Sequence, residues 1–108
     1  LVHASPENVR KVKIALSALP DNAAAHVDDG DVGTHTVVRV ADEVVVDLMA
    51  KACGVDVERA LKGVLYEEID GVSIPYPDAA TLIATKDTVR PKDHQDVQFL
   101  KMKLAEGT

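Results

Sequence analysis

The chain has 108 residues, of which 46% are hydrophobic and 3% aromatic, and its 12 basic and 18 acidic side chains give a net charge of −6. This length predicts one domain with a modest aliphatic core. The negative charge argues against strong non-specific binding to nucleic acid or to an anionic membrane. No apolar run approaches the roughly 20 residues of a membrane span. The only cysteine, Cys53, is expected to be a buried, inert thiol and is typical of a reducing cytoplasm.

The first third of the chain begins with a helix signal and continues into a polar segment. Ser5 is a favourable cap, and apolar residues then recur at helical spacing, which predicts a helix over Pro6–Leu19. The segment Asp21–Thr36 is rich in Asp and Gly. We therefore expect a surface loop there, with a short turn of helix at Ala23–His26.

The densest β-branched stretch of the chain is Val37–Ala50. It predicts strands over Val37–Val40 and Val44–Leu48 around an acidic turn at Ala41–Glu43. The second strand is almost wholly apolar, which favours burial on both faces. Asp47 interrupts this strand, and a carboxylate at that place is paired, solvated at the strand's exit, or kept for chemistry.

The second half of the chain is predicted to contain a hairpin and three helices. Asp70-Gly71 favours a two-residue hairpin turn, and Pro75 and Pro77 favour an edge position for the second strand of that hairpin. The expected elements are a helix over Val57–Lys62, strands over Leu65–Ile69 and Val72–Tyr76, and helices over Ala79–Thr88 and Lys92–Ala105.

These elements predict an α+β fold in which a small mixed β-sheet is covered by helices, forming one domain over residues 1–108. The apolar periodicity predicts a core that includes Leu16, Val38, Val45, Leu82, Leu100 and Leu104.

The acidic segment contains residues that bind metals in other proteins. They are His26, Asp28, Asp29, Asp31 and His35, and their spacing matches no zinc or EF-hand pattern. A weaker hypothesis is a metal-dependent hydrolase in which His26 and the three aspartates act with Asp47.

Five charged residues cluster near the start of the last helix. They are Lys86, Arg90, Lys92, Asp93 and Asp96. One interpretation is a solvated corner in which Arg90 or Lys86 pairs with Asp93 or Asp96. The other is a basic mouth that receives phosphates. The chain has no Gly-rich phosphate loop, Cys-x-x-Cys or His-Glu-x-x-His motif to decide between them.

Several segments occur in an order that resembles a known family. They are Val44-Val45-Val46-Asp47, Ile69-Asp70-Gly71-Val72-Ser73-Ile74-Pro75, Leu82-Ile83-Ala84-Thr85-Lys86 and Arg90-Pro91-Lys92-Asp93-His94-Gln95-Asp96. This order resembles the minimal nucleotidyltransferase-like proteins, including the AbiEii toxin-type family. Those chains also carry a Gly-Ser or Gly-Gly helix and an Asp-x-Asp strand, which are absent here, so the resemblance covers only the C-terminal portion of the full fold.

The resemblance implies that Asp47 and Lys86 occupy catalytic positions, and that Arg90, Lys92, Asp93 and Asp96 bind substrate or phosphate. In the complete family, Mg²⁺ joins the carboxylates to the nucleotide phosphates. Asp47 alone is an incomplete metal site. We therefore expect no bound Mg²⁺ and no activity from this chain, and a longer native protein is a candidate NMP transferase.

The alternative function is a non-catalytic binding or self-assembly module. A fold of this family without its first strands leaves an unpaired sheet edge and apolar surface, which a partner or a second copy covers. We expect a cytoplasmic homodimer without membrane association. A nucleotide or phosphate is the ligand expected at its basic corner.

Overall fold

The computed structural model describes residues 1–107, and the chain divides into two compact units, Leu1–Lys51 and Ala52–Thr108. Helices and short strands alternate through both, which confirms the α+β class. The strands of the described residues form three separate two-stranded sheets, so the expected single mixed sheet is wrong. Among the described helices, none combines the length and the apolar character needed to cross a membrane.

The first unit is built from two helices, a 3-10 turn and a hairpin. Its elements are α1 (Pro6–Leu16), the 3-10 turn Ala23–His26, α2 (Asp31–Thr34), β1 (Val38–Ala41) and β2 (Val45–Leu48). The Ser5 hydroxyl caps α1 by accepting the Asn8 backbone N–H at 3.3 Å. The helix ends three residues earlier than expected, because the Ser17 hydroxyl donates to the carbonyl of Ile14 at 2.5 Å and competes with the next helical turn.

The core of the first unit draws on all of its elements. It consists of Val9, Ala24, Val27, Val32, Val40 and Leu48. Three of these residues come from Asp21–Thr36, so that segment is more than the expected surface loop. The turn of helix at Ala23–His26 is confirmed, whereas α2 was not predicted.

The β1–β2 hairpin packs only one face on this core. Val40 and Leu48 are buried, whereas Val45 is 60% exposed. The expected burial of the second strand on both faces is therefore wrong, because an antiparallel hairpin at the surface alternates between core and solvent. The turn is at residues 42–44, one residue later than predicted, since β1 continues to Ala41.

A small hairpin of β3 (Lys51–Ala52) and β4 (Val55–Asp56) lies where the chain enters the second unit. Its turn is Cys53-Gly54, and both residues have positive φ. Cys53 is exposed, so the expectation of a buried thiol is wrong. The Asp56 carboxylate then caps the next helix by accepting the backbone N–H of Arg59 at 2.9 Å.

The second unit continues with that helix, a hairpin and two further helices. They are α3 (Val57–Leu61), β5 (Val64–Ile69), β6 (Val72–Pro77), α4 (Ala79–Thr85) and α5 (Pro91–Ala105). Asp70 and Gly71 both have positive φ, which confirms the two-residue turn between β5 and β6. Helix α4 ends three residues before the predicted Thr88.

The six residues predicted for the core fall into two groups. Leu16, Val38, Leu82 and Leu100 are half-buried. Val45 and Leu104 are exposed, so these two predictions are wrong. In the described part of the second unit, the buried residues are Val55 and Asp93. The second unit therefore has little apolar core, and a carboxylate is one of its two buried side chains.

Candidate functional site at the α4–α5 corner

The α4–α5 corner, residues 85–96, contains the charged residues that the sequence singles out. Helix α4 begins after Asp78, whose carboxylate accepts the backbone N–H of Thr81 at 2.8 Å. Helix α5 begins at Pro91, and proline is favourable at a first helical position because its missing N–H is not needed there. Arg90, which precedes this proline, has an extended backbone, so α4 does not run continuously into α5.

Asp93 is the one buried charged side chain among the described residues, at 3% exposure. Its Oδ2 accepts a hydrogen bond from Arg90 Nε at 2.7 Å and another from the Thr88 hydroxyl at 2.5 Å. The Thr88 hydroxyl in turn accepts the backbone N–H of Arg90 at 3.2 Å. The carboxylate therefore fixes the loop before α5 through three connected hydrogen bonds.

Asp96 forms the second acidic position of the corner. Its Oδ2 accepts a hydrogen bond from Lys86 Nζ at 2.8 Å, and its Oδ1 lies 3.9 Å from Lys92 Nζ. The interpretation that Arg90 or Lys86 pairs with Asp93 or Asp96 is confirmed, because Arg90 pairs with Asp93 and Lys86 with Asp96.

These contacts change the protonation behaviour of both carboxyl groups. Hydrogen bonds from Arg90 and Thr88 lower the pKa of Asp93 and outweigh the opposing effect of its burial. The hydrogen bond from Lys86 lowers the pKa of Asp96 in the same way. Contact with Asp93 raises the pKa of Arg90. Both aspartates are thus stabilised as anions, which does not suit a general base that must accept a proton near neutral pH.

An open cleft of about 440 Å³ lies beside this network. Its lining includes Lys86, Thr88, His94 and Lys101. His94 Nε2 lies 2.6 Å from the carbonyl oxygen of Thr88, so the ring is held against the loop. Lys86 is committed to Asp96, and Arg90 and Lys92 are not among the lining residues. Phosphate binding at this corner stays a prediction.

Asp47 lies in the first unit, on β2 directly opposite Arg39 of β1. Its two oxygens accept hydrogen bonds from Arg39 Nε at 2.9 Å and Nη2 at 3.1 Å. These hydrogen bonds lower the pKa of Asp47. Of the three roles open to this carboxylate in the sequence, the fold uses pairing. The two oxygens that Mg²⁺ would need are occupied by a guanidinium, so this carboxylate does not fit a metal-binding role in this arrangement.

The acidic segment of the first unit is also engaged internally. Asp29 Oδ2 lies 3.3 Å from Arg10 Nη1, and Asp29 Oδ1 lies 3.4 Å from Lys13 Nζ. The Asp31 carboxylate accepts a hydrogen bond from the backbone N–H of Asp28 at 2.9 Å. His35 Nδ1 lies 3.0 Å from the carbonyl oxygen of Asp31. Within residues 1–107, no three His, Cys, Asp or Glu side chains converge to hold a metal ion. The described residues therefore give no structural support to the hypothesis of a metal-dependent hydrolase.

Thr88 and Arg39 are the two participants that sequence reasoning missed. The signal for Thr88 was a hydroxyl residue just before the start of α5, where such residues often bind the helix's first turn.

Comparison of the chain with protein-family models, with curated proteins and with solved structures gives no match. The resemblance to nucleotidyltransferase-like chains therefore stays a prediction.

Proposed function

We propose that this protein is a non-catalytic module that self-associates through one face of its β5–β6 hairpin. The observation that carries this proposal is the composition of that face. In the hairpin register, Leu65 is opposite Tyr76, Glu67 opposite Ile74, and Ile69 opposite Val72. Side chains of opposed residues project to the same side, and alternate residues share a face.

One face of the hairpin is therefore almost entirely apolar. We define the hairpin face as Leu65, Glu67, Ile69, Val72, Ile74 and Tyr76. Its five apolar side chains are each 39–60% exposed. The opposite face carries Val64, Tyr66, Glu68, Ser73 and the two prolines.

An uncovered apolar face of this kind is costly for a free hairpin. Two strands alone are at best marginally stable in water, and independent stability needs more strands or a packed face. Five large apolar side chains on one exposed surface are also typical of an interaction site. A second copy of the chain would supply the missing cover, and a homodimer is therefore the assembly that this exposed apolar surface supports.

The charged residues support a binding role more than a catalytic one. Asp47, Asp93 and Asp96, which the family resemblance places in a nucleotidyltransferase site, are each paired with a cation of this chain. Nucleotidyl transfer depends on metal-borne charge neutralisation and on free positions for substrate phosphates. Transfer of NMP by a longer native protein, its Mg²⁺ and a cytoplasmic location stay predictions.

Light scattering of two matched variants tests the proposal. We expect the wild-type chain to have about twice the mass of one chain at high concentration. Ile74→Lys, on the hairpin face, is expected to give a monomer. Ser73→Lys, on the opposite face of the same strand, adds the same charge and is expected to remain associated. A monomeric wild-type chain at the highest soluble concentration contradicts the proposal.

A second experiment tests the absence of catalysis. The chain is incubated with Mg²⁺, labelled ATP or another NTP, and candidate protein or RNA acceptors. We expect no transfer of label above background. Transfer that is lost in Asp47→Asn contradicts the non-catalytic assignment and supports the nucleotidyltransferase alternative.

A further inference from the structure

We propose that the outer edge of β5 binds an extended segment of another protein, one with two adjacent basic residues, as an antiparallel third strand. This site is on the edge of the hairpin and not on its apolar face. The inference therefore goes beyond the self-association proposed above and does not depend on it. It follows from the unpaired backbone groups of that edge and from the carboxylates beside it.

Strand β5 has one paired edge and one open edge. Ile69 and Val72 flank a two-residue turn and form a hydrogen-bonded pair, so every second residue of β5 from Ile69 bonds to β6. The residues between them direct their backbone N–H and C=O groups away from β6, and we call these groups the β5 edge. They belong to Val64, Tyr66 and Glu68. Within residues 1–107, β5 pairs with no strand other than β6, and no backbone hydrogen bond from elsewhere reaches the β5 edge.

The β5 edge is also accessible. Every residue of β5 after Val64 is exposed, on both faces of the hairpin. Among the described elements, β6 is the one that packs extensively against β5. An extended segment can therefore approach the β5 edge without displacing a packed element.

The two edges of the hairpin differ in what they offer to an incoming strand. On β6, two of the outward positions are Pro75 and Pro77, which have no N–H to donate. Strand β5 contains no proline, so each of its outward positions keeps a donor and an acceptor. Proteins commonly protect an exposed edge with proline, and in this hairpin that protection is confined to β6. The β5 edge is therefore the one that is open to strand addition.

The charges around the β5 edge determine the chemistry of the strand that it favours. Residues 64–77 include Glu67, Glu68 and Asp70 and no Lys, Arg or His. Both glutamates are exposed, and neither forms an ion pair within residues 1–107. Glu67 projects from the hairpin face and Glu68 from the opposite face. They favour cationic neighbours and oppose a second copy of β5, which would bring only further carboxylates to this edge.

An antiparallel strand gives a definite pairing with β5. Its residues lie opposite those of β5 in reverse order, so the residues opposite Glu68 and Glu67 are consecutive. One basic side chain then lies beside each glutamate, on the two faces of the sheet. The next three residues lie opposite Tyr66, Leu65 and Val64, where β-branched side chains pack well. The segment that fits the edge is therefore two basic residues followed by three β-branched residues.

A titration followed by NMR tests this inference with a synthetic peptide. The isotope-labelled chain is titrated with the acetylated and amidated peptide Lys-Lys-Thr-Val-Thr. We expect saturable shifts of the amide signals of the β5 edge at millimolar peptide, and slower hydrogen exchange of the Tyr66 N–H. The peptide Glu-Glu-Thr-Val-Thr is expected to give no measurable binding. Absence of shifts at the β5 edge, or equal binding of the two peptides, overturns the inference.

Two N-methylated forms of the basic peptide separate strand addition from a purely electrostatic contact. In the pairing above, the N–H of the third peptide residue donates to the Tyr66 carbonyl, whereas the N–H of the fourth points to solvent. Methylation of the third nitrogen is expected to weaken binding roughly tenfold or more, and methylation of the fourth less than about twofold. Equal losses would show that the peptide is not added as a strand, which overturns the inference.

Variants that change one charge of the chain test the contribution of the glutamates. Glu68→Gln is expected to weaken binding of the basic peptide roughly threefold, because it removes the charge beside the first lysine. Glu106→Gln removes the same charge at the end of α5 and is expected to leave the affinity unchanged. Equal losses in these two variants would indicate attraction to the net charge alone and would contradict the pairing.

Variants of Tyr66 separate this inference from the proposed self-association. Tyr66→Pro removes an outward N–H, as Pro75 does opposite it, and is expected to abolish peptide binding while self-association stays unchanged. Tyr66→Thr keeps the N–H and is expected to bind the peptide. Circular dichroism checks the folding of both variants, and the N-methylated peptides give the same test without a variant.

The outcomes for the two proposals are distinct. If Tyr66→Pro converts an associated wild type into a monomer, a second copy occupies the β5 edge and this inference is wrong. A monomeric wild type that binds the basic peptide removes the proposed self-association and supports the inference.

Discussion

The Thr88 hydroxyl donates a hydrogen bond of 2.5 Å to Oδ2 of Asp93, across the loop that joins α4 to α5. This contact explains how a buried carboxylate is tolerated in a unit with little apolar core. The charge is compensated by Arg90, and the Thr88 hydroxyl donates a second hydrogen bond to the same carboxylate oxygen. Asp93 thereby acts as a structural anchor for the start of α5.

Removal of this hydroxyl is expected to destabilise the corner. Thr88→Val keeps the shape of the side chain but leaves Asp93 with one donor fewer, so we expect the Tm to fall by a few degrees and the pKa of Asp93 to rise. Thr85→Val is the matched control, because the Thr85 hydroxyl bonds only to the Leu82 carbonyl of its own helix. Thermal unfolding and carboxyl NMR titration measure both effects. Equal Tm values for the two variants contradict the anchor role.

The two valines Val40 and Val45 provide a test of where the core lies. Val40 is 2% exposed and Val45 is 60% exposed, although both lie in the same hairpin. Val40→Ala is expected to reduce the free energy of unfolding by about 2 kcal/mol, from lost burial and the cavity that remains. Val45→Ala is expected to change it by less than about 0.5 kcal/mol. Urea unfolding of the two variants measures the difference, and a larger effect at Val45 contradicts the observed register.

Two aspartates of the same hairpin are expected to differ in structural importance. Asp42 accepts the backbone N–H groups of Asp21, Ala23 and Glu43 at 2.7–2.9 Å, and so joins the β1–β2 turn to the segment before the 3-10 turn. Asp47 pairs only with the exposed Arg39. Asp42→Asn is expected to lower the Tm by several degrees, and Asp47→Asn by about one degree or less. Similar decreases in Tm for the two variants would show that the backbone contacts of Asp42 stabilise the fold no more than the Asp47–Arg39 pair does.

Acid is expected to destabilise the chain through its paired carboxylates. The pKa values of Asp42, Asp47, Asp78, Asp93 and Asp96 all lie below their ordinary value of 3.8. Well above pH 3.8 these groups are ionised in the folded and unfolded chains, so their contribution is fully present. It is lost as the pH falls through the lower pKa values of the folded state. The urea midpoint should therefore fall with pH in that acidic range, and a smaller fall is expected for Asp42→Asn.

Local signals in the sequence predicted much of the secondary structure. Ser5 and Asp56 cap helices where expected, and Asp70-Gly71 forms the expected turn, because each acts through neighbouring backbone groups. Helix ends were less predictable. Ser17 and Thr85 each bond a carbonyl three residues earlier, which is one of several options open to a hydroxyl in a helix.

The pairing of the candidate site was only partly predictable. Arg90 and Asp93 are one helical turn apart, so their contact follows from sequence spacing. The partner of Asp47 depends on the register of the β1–β2 hairpin, and that register depends on a turn that lies one residue later than predicted. The predicted burial of Val45 is wrong for a different reason, since the burial of a strand's two faces is decided by what packs on them and not by composition alone.

The two prolines of β6 affect how readily the protein can aggregate through the edge of that strand. Ile69 and Val72 flank a two-residue turn and form a hydrogen-bonded pair. Hydrogen-bonded and non-hydrogen-bonded pairs alternate from there along the hairpin. Pro75, opposite Tyr66, and Pro77, opposite Val64, are therefore in non-hydrogen-bonded pairs. At these places the missing N–H groups would have pointed away from β5. The outer edge of β6 thus lacks two of the donors that an incoming strand requires. The hairpin can therefore expose an apolar face and still resist the addition of further strands along that edge, which is how amyloid-like fibres grow.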